Sequence, residues 1–150
     1  MADHLALVLN SNTADIQVLK LASSALGKLV RFGGTVAAEV FDREVRKGMD
    51  WLQSEDRQAR RLSAVLMLRA LANNAPPLFY VHVVRFIDLI WFALQDTRQQ
   101  VRDGAADALR AALELIGERP SRQRNQWYDK LWQRALLVRP SRWELEITEL

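Results

Sequence analysis

The chain repeats itself. "VLKLASSALGKL" (18–29), "RRLSAVLMLRAL" (60–71) and "VRDGAADALRAAL" (101–113) carry like residues at like steps. Lys20, Arg61 and Arg102 stand 41 residues apart, and so do Lys28, Arg69 and Arg110. Ala22, Ala64 and Ala105 recur at intervals of 42 and 41, as do Leu26, Leu68 and Leu109, so two registers differ by one residue. A unit of this length cannot bury its apolar face alone; a chain built this way folds by stacking each unit on the next.

Each stretch has helical period. Val101, Ala105, Ala108, Leu109, Ala112 and Leu113 fall at i, i+4, i+7, i+8, i+11 and i+12. The second stretch places Leu62, Val65, Leu66, Leu68 and Leu71 with no internal Gly or Pro. Thr97-x-x-Gln100 reads as a capping box opening the third. Small residues at Ala22, Ala64 and Ala105 let a neighbouring helix approach closely. Longer, more aromatic segments alternate with these helices. "TVAAEVFDREVRKGMDWL" (35–52) follows Gly33-Gly34, "LFYVHVVRFIDLIWFALQD" (78–96) follows Pro76-Pro77 and reads as one helix, and "NQWYDKLWQRALL" (125–137) follows a polar loop. Trp51, Phe92 and Trp132 recur near their ends.

Two helices per unit at a period of about 41 residues predict an all-α fold, a HEAT-repeat α-solenoid of antiparallel helix pairs. A four-helix bundle gives no reason to repeat at this period, and a tetratricopeptide array needs about 34 residues. The whole of 1–150 reads as one segment of three repeats plus an incomplete fourth. In "SRWELEITEL", Ser141-x-x-Glu144 is a capping box, and Trp143, Ile147 and Leu150 share a helical face. A helix that starts and stops there, without a polar cap, predicts a piece of a longer solenoid.

Composition narrows the function classes. No segment approaches the roughly 18 apolar residues of a membrane span. The start, "MADHLALVLN", lacks a basic n-region. Cysteine is absent, which excludes disulfides and thiolate metal sites. Gly27-Lys28 has the look of a phosphate-binding loop, but Ala22 stands where the early glycine belongs and Leu29 where a hydroxyl belongs. Kinase motifs are missing, and "RFGG" (31–34) has Arg in place of the metal-binding Asp. His4 and His82 lie far apart without clustered carboxylates, so His82 is expected to be a packing or surface residue. The sequence therefore predicts no catalytic residue, no cofactor and no metal.

The basic ladders are the candidate site. Positions eight apart on a helix are separated by about 800°, which puts the two ladders about 80° apart. Lys20, Arg61 and Arg102 are expected to pair with turn acids such as Glu55, Asp56 and Asp96, a structural ladder. Lys28, Arg69 and Arg110 show no obvious acids along the chain and are the partner-binding candidates, suited to an acidic protein segment. Nucleic acid calls for more than a net charge of +3 and for aromatics on the same face. The tryptophans fall instead on the longer helices. Trp127, Trp132 and Trp143 read either as anchors at an exposed end or as core covered by a further helix. The face around Trp51 and Phe92 is the alternative interface.

"KLASSALGKLVRFGGTVAAEVFDREVRKGMDWL" (20–52), the run 60–119 and "NQWYDKLW" (125–132) together resemble the N-terminal HEAT region of the target of rapamycin (TOR) serine/threonine kinases. The resemblance covers 15–132 and fades beyond. It implies a HEAT solenoid, with the paired turn Asp and helix Arg of that pattern matched by Asp96 and Arg102. It also implies a kinase domain far downstream and a non-catalytic scaffold here, in growth signalling. The implied partners are a Raptor-like subunit, a Rheb-like GTPase or the rest of the solenoid. The implied location is cytoplasmic, peripheral at endomembranes as part of a larger complex. A free-standing HEAT adaptor is the competing reading. A small helical enzyme has no supporting residues.

Overall fold

The computed structural model describes residues 1–11, 15–53 and 60–137. Glu55, Asp56 and the segment containing Ser141, Trp143, Glu144, Ile147 and Leu150 lie outside the described residues. Among the described residues there are eight α-helices and no strand: α1 (Ala2–Leu9), α2 (Ile16–Phe32), α3 (Gly34–Gln53), α4 (Arg61–Asn74), α5 (Pro76–Tyr80), α6 (Val83–Leu94), α7 (Gln99–Gly117) and α8 (Ser121–Leu137). The fold class is all-α, as the periodicity requires.

The chain forms two compact units, Met1–Leu115 and Ile116–Leu150. In the first, α2 packs on α1, α3 and α4, while α3 packs on α6. A Cβ added at Gly104 of α7 would lie 2.6 Å from Val65 Cγ2 of α4, so these two helices touch. Helices α2, α4 and α7 thus form one row and α3 and α6 a second, the layering of an α-solenoid. In the second unit, the end of α7 leads through a short turn into α8.

Helix α4 is central, and its composition explains why. Ser63, Ala64, Val65, Leu66, Met67 and Leu68 are all buried, so the helix is covered on nearly every side. Three glycines permit this crowding. A Cβ at Gly27 of α2 would meet Ala70 O at 3.0 Å, and one at Gly48 of α3 would meet Met67 Cε at 2.9 Å. With Gly104, the three long helices α2, α3 and α7 each bring a residue without a side chain to the contact with α4. Gly27 therefore serves helix packing, not phosphate binding. The alanine column agrees: Ala22, Ala64 and Ala105 are all buried.

The termini follow local chemistry. Asp15 caps α2 by accepting the Gln17 N–H at 2.7 Å. One residue, Gly33, separates α2 from α3, and Gly34 adopts φ +63°, a left-handed conformation suited to glycine. In the turn before α7, the Asp96 carboxylate accepts the Arg98 N–H at 2.9 Å and so fixes the approach to the helix.

Two expectations change. The segment 78–96 is two helices, broken at Val81-His82, where the His82 N–H bonds to the Phe79 carbonyl at 2.8 Å in a tight turn. The break lets Phe79 and Phe86 both point inward and meet edge to face at 5.4 Å. The tryptophans also divide. Trp51 is 1% exposed and belongs to the core, whereas Trp132 on α8 is 68% exposed.

His82 is half-buried against Phe41, with ring centroids 6.0 Å apart, and its Nε2 lies 3.5 Å from Asp42 Oδ1. Burial lowers its pKa; Asp42 opposes this, while Arg46 and Arg85 reinforce it. The folded state therefore resists protonation that the unfolded chain accepts below about pH 6.5. This contribution to stability is complete above that pH and is lost as pH falls through the depressed folded value. Melting temperatures at about pH 7.5 and 5 should differ more for the natural chain than for His82→Gln. Equal differences would show that His82 does not titrate differently on folding.

Candidate partner-binding face

The site is built from the exposed sides of α2, α4 and α7. The structural ladder behaves in three different ways. Arg61, at the start of α4, is buried and reaches across to Asp96 in the turn before α7, with Nη1 to Oδ2 at 3.4 Å. Asp96 is buried too, and Arg98 binds both of its oxygens, at 3.0 and 3.1 Å. Burial by itself raises the Asp96 pKa, but the hydrogen bonds from Arg98 and Arg61 outweigh it and hold the carboxyl below its ordinary range. Among the described residues, Arg102 pairs with no carboxylate. Its Nη1 donates to the Asp96 and Thr97 carbonyls, each at 2.8 Å, so it ties down the chain leaving α6. Lys20 is exposed, and no ion pair to it is seen among the described residues.

The second ladder departs from expectation. Asp107 of α7 stands between two of its members: Arg69 Nη1 lies 3.1 Å from Oδ2 and Arg110 Nη1 lies 3.0 Å from Oδ1. The supposed lack of nearby acids does not hold, because α4 and α7 are neighbours and bring a residue 38 positions away against Arg69. All of these groups are partly exposed, so each pair contributes about 0.2–1 kcal/mol. Lys28 is exposed, with no ion pair among the described residues.

Two cavities open along this face. One, of about 310 Å³, lies between α2 and α4 and is lined by Lys20, Ser23, Leu66, Arg69, Asn73 and Asn74, among others. The other, of about 150 Å³, shares Lys20, Leu66 and Arg69 and continues to Gln100, Asp103 and Asp107 of α7. Ser23, Asp103 and Asp107 were not singled out by sequence reasoning. The spacing Lys20, Ser23, Ser24, Gly27 along one face of α2 was the available signal.

The alternative interface shrinks. Trp51 is enclosed, so only Phe92 of that pair is exposed. Among the described residues no group of three or more His, Asp or Glu side chains is arranged to hold a metal ion. No described helix is long and apolar enough to cross a membrane.

The class these features define is an all-α protein of stacked helix pairs whose polar face is a groove between helices. Comparison with known sequences gives the relationship. The chain is 42% identical over 119 residues to the serine/threonine-protein kinase TOR of Arabidopsis thaliana, covering 79% of this chain and 5% of that protein. It is 41% identical over 121 residues to the serine/threonine-protein kinase TOR of Oryza sativa subsp. japonica, with shares of 81% and 5%. It is 36% identical over 117 residues to the serine/threonine-protein kinase mTor of Drosophila melanogaster, with shares of 76% and 5%. No protein-family profile matches the sequence. The chain therefore resembles a short segment of the TOR kinases and spans about 5% of the length of these relatives.

Proposed function

We propose that this chain is a non-catalytic, cytoplasmic scaffold, a run of HEAT repeats within a TOR-type kinase, and that its α2–α4–α7 face receives an acidic segment of a partner protein. The observation that supports this most is the groove along that face, in which Lys20 and Arg69 flank a cavity between two helices without any described carboxylate in its lining. Lys28 and Arg110 extend the positive charge on either side. A Raptor-like subunit, a Rheb-like GTPase or the remainder of the solenoid is the partner class that the relationship suggests. Phosphotransfer is assigned to other parts of such a kinase, and the purified chain should show none.

Exposed charges act chiefly on association rate and salt dependence. Replacing Lys28, Arg69 and Arg110 together by Glu should slow capture of a Raptor-like subunit about tenfold at low salt, and much less at high salt. The folded state should lose only about 1 kcal/mol, the sum of the exposed pairs to Asp107. Unchanged association rates at both salt levels would place the partner on another face.

A further inference from the structure

The cavity between α2 and α4 has the features of a site for one anionic group. Lys20 and Arg69 border it, and neither α2 nor α4 contributes a carboxylate to its wall. Ser23 lies in the same wall. It is only 2% exposed, and its hydroxyl has no hydrogen-bond partner. A buried, unpaired hydroxyl is costly to the folded state, so its presence beside two cations points to a ligand that completes it. Arg69 is steadied from the far side by Asp107 at 3.1 Å, which fixes its guanidinium at the mouth. The Asn74 amide donates to the Ala70 carbonyl at 2.8 Å and is likewise held.

We propose that this cavity is an anchor pocket for an acidic side chain of a protein segment lying across α2, α4 and α7. The carboxylate or phosphate oxygens sit between Lys20 and Arg69 and accept the Ser23 hydroxyl. The adjoining smaller cavity gives the segment a direction. There Asp103 and Asp107 line the wall with Gln100. Asp107 is already neutralised by two arginines, while among the described residues Asp103 accepts only the Gln99 amide, at 2.6 Å. A residue of positive charge following the anchor fits there. This inference deepens the scaffold reading and rests on it.

The test is an NMR titration of the isotope-labelled chain with a glutamate-alanine peptide, with its phosphoserine counterpart, and with inorganic phosphate. Saturable shifts at the amides of Ser23, Ser24, Arg69, Asn73 and Asn74 are expected with the peptides. Stronger binding of the phosphoserine form would identify phosphate as the anchor; equal or weaker binding, a carboxylate. Ser23→Ala should weaken the peptide about tenfold, by removing one hydrogen bond to a charged group. The same change should raise the melting temperature of the free chain by about 2–4 °C, since it deletes an unsatisfied buried hydroxyl. Shifts confined to α3 and α6, or binding indifferent to Ser23→Ala, would overturn the pocket and leave the scaffold reading standing. Shifts with phosphate alone would overturn the protein-segment assignment. No shifts with any probe would overturn both readings.

Discussion

Asp96→Ala should lower the stability of the chain by about 3–5 kcal/mol, the cost of leaving a buried arginine without its partner. Arg61 and Asp96 are 8% and 6% exposed, and among the described residues the Arg61 Nε has no hydrogen-bond partner, so Asp96 is its principal compensation there. The double change Arg61→Met with Asp96→Ala removes both buried charges. It should recover all but about 1 kcal/mol, the part owed to the lost hydrogen bond from the Arg98 N–H in the turn before α7. The pH dependence has a definite sign. Asp96 has a depressed pKa, so its contribution is present above about pH 4 and is lost as pH falls through the folded value. The gap between the natural chain and Asp96→Ala should therefore close in acid. Chemical denaturation at neutral and acidic pH measures both effects. Equal stability of the single and double variants would mean that Arg61 and Asp96 do not depend on one another.

Gly104→Leu should cost about 1–2 kcal/mol, the overpacking penalty less the helix propensity it gains. A leucine gains up to about 1 kcal/mol of helix propensity over glycine. Against this, its Cβ would come 2.6 Å from Val65 Cγ2, on a stiff branched side chain within the most buried helix. Overpacking therefore outweighs propensity. Adding Val65→Ala makes room and should return part of the loss, so the two changes are coupled rather than additive. A denaturation midpoint unchanged by Gly104→Leu would show that α4 and α7 are not in close contact.

The residues that were legible in the sequence are those whose partners lie close in the chain or recur with the unit. Ala22, Ala64 and Ala105 announced the packed seam. Asp96 was legible as a turn acid near the basic ladder, but its carboxylate binds Arg98 and Arg61, while Arg102 takes the Asp96 and Thr97 carbonyls instead. Arg61 recurs in the basic ladder next to candidate turn acids, and Asp96 is the one it reaches. What was not legible depends on register between helices. Asp107 meets Arg69 only because α4 and α7 are neighbours, and no pattern along the chain states that offset. Val81-His82 interrupts a segment with no Gly or Pro to mark it. Helix α1, which packs on α2, carries no repeat signal at all. Ser23 was visible as a small residue, but its unpaired hydroxyl is a property of the assembled seam.

Hydrogen–deuterium exchange of the chain, alone and saturated with a Raptor-like subunit, reads the binding face directly. Slowed exchange in α2, α4 and α7, centred on Lys20 to Lys28 and Arg69 to Asn74, is the expected result. Slowed exchange in α3 and α6 alone, with α2, α4 and α7 unchanged, would contradict it.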